Sequence, residues 1–169
     1  MTKAVLRAPQ RGFTFIELVI TLALIGLVSM LALPLYEVTA TRTKEEELRQ
    51  ALRIVRGALD TYKVATDRGS LKREPGASGY PPNLDVLTQS LDLVAKADAT
   101  GTIASERMVI LRQLPRDPFN TDPTLPPEQT WNTRAYASRP DDPQPGDDVF
   151  DISSKSTAIG LDGTPYANW

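Results

Sequence analysis

The sequence predicts an α+β fold in which one long N-terminal helix carries a small C-terminal antiparallel β-sheet. Three observations predict it. Leu18 to Tyr36 is an uncharged run of 19 residues. An amphipathic stretch continues from it to about Asp67, and strand-like alternation is confined to roughly the last fifty residues. With 169 residues and no internal repeat, the chain is sized for one domain beyond the apolar run.

The first element is the segment 1–12, MTKAVLRAPQRG, which carries Lys3, Arg7 and Arg11 and no acid. The uncharged run behind it is close to the ~20 residues a helix needs to cross a ~30 Å hydrocarbon layer. Basic residues ahead of the span keep the N-terminus cytoplasmic and send the rest of the chain outward. A cleaved secretory signal has the same opening, but its small-x-small cleavage site should follow the apolar run. Here Thr39-Ala40-Thr41 is a poor match, and the run is longer than a usual signal core.

One acid, Glu17, stands at the head of the span. A carboxylate in the first helical turn gains about 0.3–1 kcal/mol from the helix dipole, less than the several kcal/mol that ionisation in lipid costs. Either Glu17 snorkels to the headgroups, or a cation comes to it. Within the span Gly26 and Ser29 are small enough to let helices approach closely, and Pro34 removes one helical hydrogen bond and is expected to bend or locally melt the helix.

From Glu37 to Asp67 the apolar residues Leu48, Leu52, Val55, Leu59 and Tyr62, with Ala51 and Ala58, recur at three-four spacing. Lys44, Glu45, Arg49, Arg53 and Arg56 are assigned to the opposite, charged face. One continuous helix from Phe13 to Asp67 would be roughly 80 Å long at about 1.5 Å per residue. Arg68-Gly69 ends it. Beyond, Asn83 or Asp85 can cap a short helix carrying Leu84, Val86, Leu87 and Leu91, while Met108 to Leu111 reads as a strand or a helix tail. Pro115 and Pro118 force an extended link. TWNTRAYASRP and DDVFDISSKS carry the strand pattern on either side of the turn-rich DDPQPGDD.

The N-terminal run RGFTFIELVITLALIGLVSMLALP resembles the signature of type IV pilins and of the pseudopilins of type II secretion. GYPPNLDVL, LPRDPFN, TWNTRAYAS and VFDISSKSTAIGLDGTPYANW resemble, in order, landmarks of the major (G-type) pseudopilins. The resemblance implies a pilin-like fold with segments 1–12 as cytoplasmic leader, 13–36 as transmembrane and assembly helix, 37–67 as the amphipathic half, and 68–169 as a periplasmic globular domain. It implies that a prepilin peptidase cuts between Gly12 and Phe13 and that the new Phe13 amine is methylated. Glu17 and Pro34 are then the assembly residues, with Glu17 one helical turn from an ammonium that only processing exposes. In a low dielectric such a pair attracts strongly. The implied setting is a bacterial inner membrane crossed once, and the implied partners are further copies of the chain, other pseudopilins and the inner-membrane assembly platform.

Residues 140 to 169 hold Asp141, Asp142, Asp147, Asp148, Asp151 and Asp162 against a single Lys155. Oxygen-rich loops of this kind suit Ca²⁺, but acidic surface loops are also common, and the spacing is not that of an EF-hand. The resemblance implies calcium in the last loop, with Asp151 and Asp162 as ligands and the ion acting as a staple for a small cysteine-free domain. This loop is shorter and poorer in acids than that pattern.

The chain contains no Cys and no His, which removes disulfides, thiolate or imidazole zinc sites, Cys nucleophiles and His-dependent triads. A net charge of −2 leaves no footprint for nucleic acid. Read as a carboxylate pair for hydrolysis, the aspartates of the acidic loop lack any sequence sign of a pocket. The expected function is therefore structural rather than enzymatic: a filament subunit serving protein secretion. A type IV pilus (minor) pilin for adhesion or motility is the nearest alternative, and a membrane-anchored periplasmic binding module the next.

Overall fold

A computed structural model describes residues 12–94 and 106–169; the basic stretch 1–11, and with it most of the expected leader, lies outside the described residues, as does 95–105. The chain falls into two units, Met1–Thr41 and Arg42–Trp169. A single helix, α1 (Phe15–Asp67), contributes to both.

In the first unit α1 is long and apolar enough to cross a membrane. Phe15, Ile16, Leu22, Leu27 and Met30 are all more than half exposed, so no protein core competes with lipid for them. The hydroxyls within the run are already bonded to the helix backbone: Thr21 donates to the Leu18 carbonyl at 2.9 Å and Ser29 to that of Ile25 at 2.8 Å. Such back-bonding removes the main cost of placing a hydroxyl in hydrocarbon. The helix is unbroken at Pro34, so the expected local melting is absent. Proline withholds only one N–H, and the turns on either side keep theirs.

In the second unit the remaining turns of α1 build a core. Leu48, Ala51, Leu52, Val55, Ala58 and Leu59 are buried together with Leu84, Leu87, Leu114, Trp131, Val149, Ile152 and Tyr166. This is the stripe the sequence spacing predicts, with one correction. Glu45, assigned to the charged face, is 4% exposed. It stands three residues before Leu48, so the same spacing that buries Leu48 and Leu52 buries it. The helix ends in a Schellman motif: Gly69 N–H donates to Thr66 O at 3.0 Å and Ser70 N–H to Ala65 O at 2.9 Å, with Gly69 at φ +69°. A positive φ of that size is the reason for glycine at this position.

Strands β1 (Leu91–Asp92) and β2 (Arg107–Met108) form one antiparallel pair, and β3 (Trp131–Arg134) and β4 (Asp151–Ser154) another. The longer pair has the register Trp131↔Ser154 and Thr133↔Ile152. Alternation buries Ile152 and Ser154 from the same strand. The expected short helix reduces to a 3-10 turn, Asp85–Thr88, with Asn83 Oδ1 accepting from Val86 N–H at 3.2 Å; Leu91 lies beyond it in β1. The apolar run 108–111 leaves the ladder after Met108 because Leu111 N–H turns to the Leu87 carbonyl at 2.9 Å.

The proline-rich link is held by a buried acid. Asp117 is 1% exposed and accepts from Ser154 Oγ at 2.6 Å and from Phe119 N–H at 2.8 Å, so its charge is met by donors rather than by water. Trp131 Nε1 donates to the Pro115 carbonyl at 2.9 Å and ties the same link to β3.

Leu59 is 1% exposed at the centre of the stripe. Leu59→Ala is expected to lower unfolding free energy by about 2–5 kcal/mol, whereas Ile54→Ala, at a half-exposed position of the same helix, should cost under about 1 kcal/mol. Denaturant titration of the full chain in detergent, followed by tryptophan fluorescence, distinguishes the two.

Candidate functional site

Gly12, Phe13 and Thr14 lie in non-helical, exposed backbone directly ahead of α1, and Phe13 is 83% exposed. The Gly12–Phe13 peptide bond is therefore outside the helical hydrogen-bond ladder, in exposed chain that a protease can reach. The first helical bond runs from Leu18 N–H to Thr14 O at 3.1 Å.

Thr14 and Glu17 form a reciprocal cap. Glu17 N–H donates to Thr14 Oγ1 at 3.2 Å, and Thr14 N–H donates to Glu17 Oε2 at 3.4 Å. This is the capping box T-x-x-E, which fixes where the helix begins. Its sequence signal, Thr three residues before Glu, is present in GFTFIE but is missed when Glu17 is read against the dipole alone. Cleavage at Gly12 would leave both residues in place and put a new ammonium on Phe13, one residue before the cap. The segment thus has three parts in a row: the Gly12–Phe13 bond in open chain, the Phe13 nitrogen, and a carboxylate oriented towards the helix start. At Gly26 a Cβ would meet nothing within 4 Å, so that face of the span is open. Pro34 lies within the helix, inside the apolar run.

The two acids expected to bind a metal are engaged elsewhere and with different partners. Asp151 Oδ1 receives Arg56 Nε at 2.7 Å and its neighbour's N–H, from Ile152, at 2.8 Å. Asp162 Oδ1 receives Thr164 N–H at 2.9 Å and Thr164 Oγ1 at 2.7 Å. Those two bonds hold the Asp162 carboxyl below its usual range, with a smaller contribution from Arg49. No group of three or more acidic side chains converges as a cation site among the described residues. A Ca²⁺ ion asks for six to eight oxygens, which acidic side chains alone do not converge to supply among the described residues. What the sequence reading missed is the carboxylate that does hold the loop: Glu45 Oε1 accepts from Leu161 N–H at 2.7 Å and from Tyr166 OH at 3.0 Å.

Of the acidic loop, Asp147 and Asp148 line an open groove of about 1070 Å³ between residues 72–82 and 135–148. Asp148 Oδ1 is taken by Tyr136 N–H at 2.8 Å, and Asp142 Oδ1 by Gln144 Nε2 at 2.8 Å. These carboxylates terminate turns, and no pair of them is hydrogen-bonded as an acid–base couple would be.

Residues 7–33 match the prokaryotic N-terminal methylation motif. Among curated proteins the chain is 28% identical over 142 residues to the type II secretion system core protein G of Klebsiella pneumoniae, covering 83% of this chain and 92% of that one. It is 29% identical over 100 residues to the fimbrial protein EcpC of Eikenella corrodens, covering 59% of this chain and 64% of that protein, a little under two thirds of its length. No solved structure matches. The methylation motif, set at the head of a long apolar helix followed by small antiparallel sheets, defines a type IV pilin-like protein. The similarity that runs through most of the chain is to the secretion protein, a type II secretion system core protein G.

Thr14→Ala removes one capping oxygen and is expected to cost about 1 kcal/mol of local helix stability, whereas Thr14→Ser keeps it. Amide exchange at Glu17 and Leu18 in detergent should speed up several-fold in the first variant and stay unchanged in the second. A further expectation concerns high pH. Burial, followed by the bond and negative charge of Glu45, pushes the Tyr166 hydroxyl from 10.0 up to about 12. A proton held more tightly in the folded state stabilises the fold fully below pH 10, and that contribution is lost as pH rises through about 12. Absorbance titration of the phenolates should show Tyr166 ionising late, together with unfolding; Tyr166→Phe should abolish the late step.

Proposed function

We propose that the chain is the structural subunit of a pseudopilus filament of type II protein secretion. It is inserted as a single-pass inner-membrane protein with a cytoplasmic N-terminus and a periplasmic C-terminal unit. Prepilin peptidase cuts between Gly12 and Phe13 and methylates the Phe13 amine. The mature chains leave the bilayer for a helical filament, meeting further copies of themselves, other pseudopilins and the inner-membrane assembly platform. Its work is mechanical, and no residue is assigned to catalysis.

The observation that carries this reading is the order of parts at the N-terminus. An exposed Gly12–Phe13 bond stands just ahead of the Thr14–Glu17 cap, on a helix whose first turns expose apolar side chains. Apolar side chains that no core covers are stable in lipid, and equally stable against identical helices. Glu17 gives direction to that exchange. Among the described residues its carboxylate accepts a long bond from Thr14 N–H, which leaves it acceptor capacity in hydrocarbon, and the Phe13 ammonium of a neighbour is a strong partner for it. Small residues at Gly26 and Ser29 allow close approach along the same helix.

The fimbrial relative favours a second reading, a type IV pilus subunit for adhesion or motility. It aligns over a smaller share of the chain than the secretion protein does, so the pseudopilus reading has the wider support.

Intact mass and N-terminal sequencing of the membrane-expressed protein test the reading first. A methylated phenylalanine at the new terminus, Phe13, is expected; an intact Met1, or a cut after the apolar run, would refute it. Glu17→Leu should still be cleaved yet be lost from filaments recovered by shearing or cross-linking, because leucine satisfies lipid but offers nothing to an ammonium.

A further inference from the structure

The segment after β4 returns to α1 and closes there through side chains of the helix. Glu45 is buried on the helix stripe and takes both Leu161 N–H at 2.7 Å and Tyr166 OH at 3.0 Å on a single oxygen. Arg49, one turn on, stands 3.8 Å from the second Glu45 oxygen and 3.9 Å from Asp162 Oδ2, and its guanidinium lies 4.1 Å from the centre of the Trp169 ring. Two turns further, Arg56 reaches Asp151 at 2.7 Å, the Ile152 carbonyl at 3.1 Å and the Trp169 carbonyl at 2.7 Å.

The loop itself is internally tied. Gly160 N–H bonds Thr164 O at 2.8 Å and Tyr166 N–H bonds Ala158 O at 3.2 Å. Gly160 is a point of close approach: a Cβ there would sit 2.7 Å from Trp169 Cζ2 and 3.0 Å from Asp162 Oδ1. Glu45 Oε1, Asp151 Oδ1 and Asp162 Oδ1 are thus each matched to two donors. A cation at any of these three oxygens would have to evict those donors.

We propose that Glu45, with Arg49 and Arg56, is the staple of the C-terminal loop, and that the loop closes without metal. The helix provides a fixed carboxylate where a calcium-dependent loop would use an ion, so closure needs no supply of divalent cation outside the membrane. This inference is independent of filament assembly and stands or falls on the monomer.

Lys155 is exposed at the start of the loop and provides a protease reporter. In the full-length chain in detergent, the initial rate at which trypsin releases fragment 156–169 is read by mass spectrometry with added CaCl₂ or with EGTA. Cleavage that waits on local opening follows the opening equilibrium. Glu45→Ala leaves two donors without an acceptor and should release the fragment roughly tenfold faster or more. Tyr166→Phe removes one hydroxyl and should act in the same direction by about threefold; should Glu45→Ala fail to accumulate, this milder variant carries the comparison. Glu46→Ala, at an exposed neighbour, should match the wild type, and calcium or chelator should move the wild-type rate less than about twofold. Protection by calcium that EGTA reverses would overturn the proposal, as would Glu45→Ala or Tyr166→Phe chains cleaved at the wild-type rate.

Discussion

The unit Arg42–Trp169 depends on one stripe of a helix. Glu45, Leu48, Leu52, Val55, Leu59, Tyr62 and Thr66 follow one another at alternating three- and four-residue steps, and all of them are buried or half-buried. Remaining elements are short: two-residue strands, four-residue strands and 3-10 turns. None of these could persist alone in water, since small isolated strand pairs are marginal. They are ordered because each places one or two side chains on the stripe: Leu87 from the 3-10 turn, Trp131 from β3, Ile152 from β4 and Tyr166 from the last turn. The polar members at the two ends of the stripe, Glu45 and Thr66, show that position on the helix, rather than side-chain polarity, decides what is buried.

A buried polar group then needs partners, and the way each is found ties distant segments together. Asp117 binds Ser154 from 37 residues away, and Glu45 binds Tyr166 across 121. Replacing water around a carboxylate takes two or more donors in good geometry, and in both cases the chain supplies them. These bonds add directional constraints that an apolar core lacks. They specify which loop meets which turn of α1, while the leucines set only that something apolar must.

How far this was legible in the sequence depends on the range of each interaction. The stripe and the end of α1 are local: spacing predicts Leu48 to Tyr62, and Gly69 marks the cap. The strand segments of β3 and β4 are likewise readable from alternation, since the loop between them is rich in Pro, Gly and Asp. Pairing of Leu91 with Met108 is not local, and neither run alternates for long enough to announce a strand. Glu45 was misassigned for another reason. Its charge suggests a solvent face, and only the spacing, which counts back from Leu48, says otherwise. Asp151 and Asp162 are the ligands that the resemblance implies, and what the sequence does not announce is that Arg56 from α1 and Thr164 bond one oxygen of each. Composition gives the number of acids in a loop; it carries no information on the guanidinium that a helix will bring to it.

Glu17 and Glu45 make the same argument from opposite sides. Both are glutamates on α1, and both have been taken out of easy solvation, one at the head of a membrane-length apolar run and one in a core. Glu45 has a main-chain N–H at 2.7 Å, a phenol at 3.0 Å and a guanidinium at 3.8 Å. Among the described residues Glu17 accepts from the Thr14 N–H at 3.4 Å, at the long limit of a useful bond. A carboxylate with its donors complete has nothing to gain from a new partner, and it holds a structure shut. One left short retains most of its affinity for a cation, and hydrocarbon around it would raise that affinity further by lowering the dielectric. Counting donors, rather than noting charge, therefore separates a structural glutamate from one available to another chain. By that count Glu45 closes the C-terminal segment onto α1, and Glu17, among the described residues, keeps acceptor capacity for a cation.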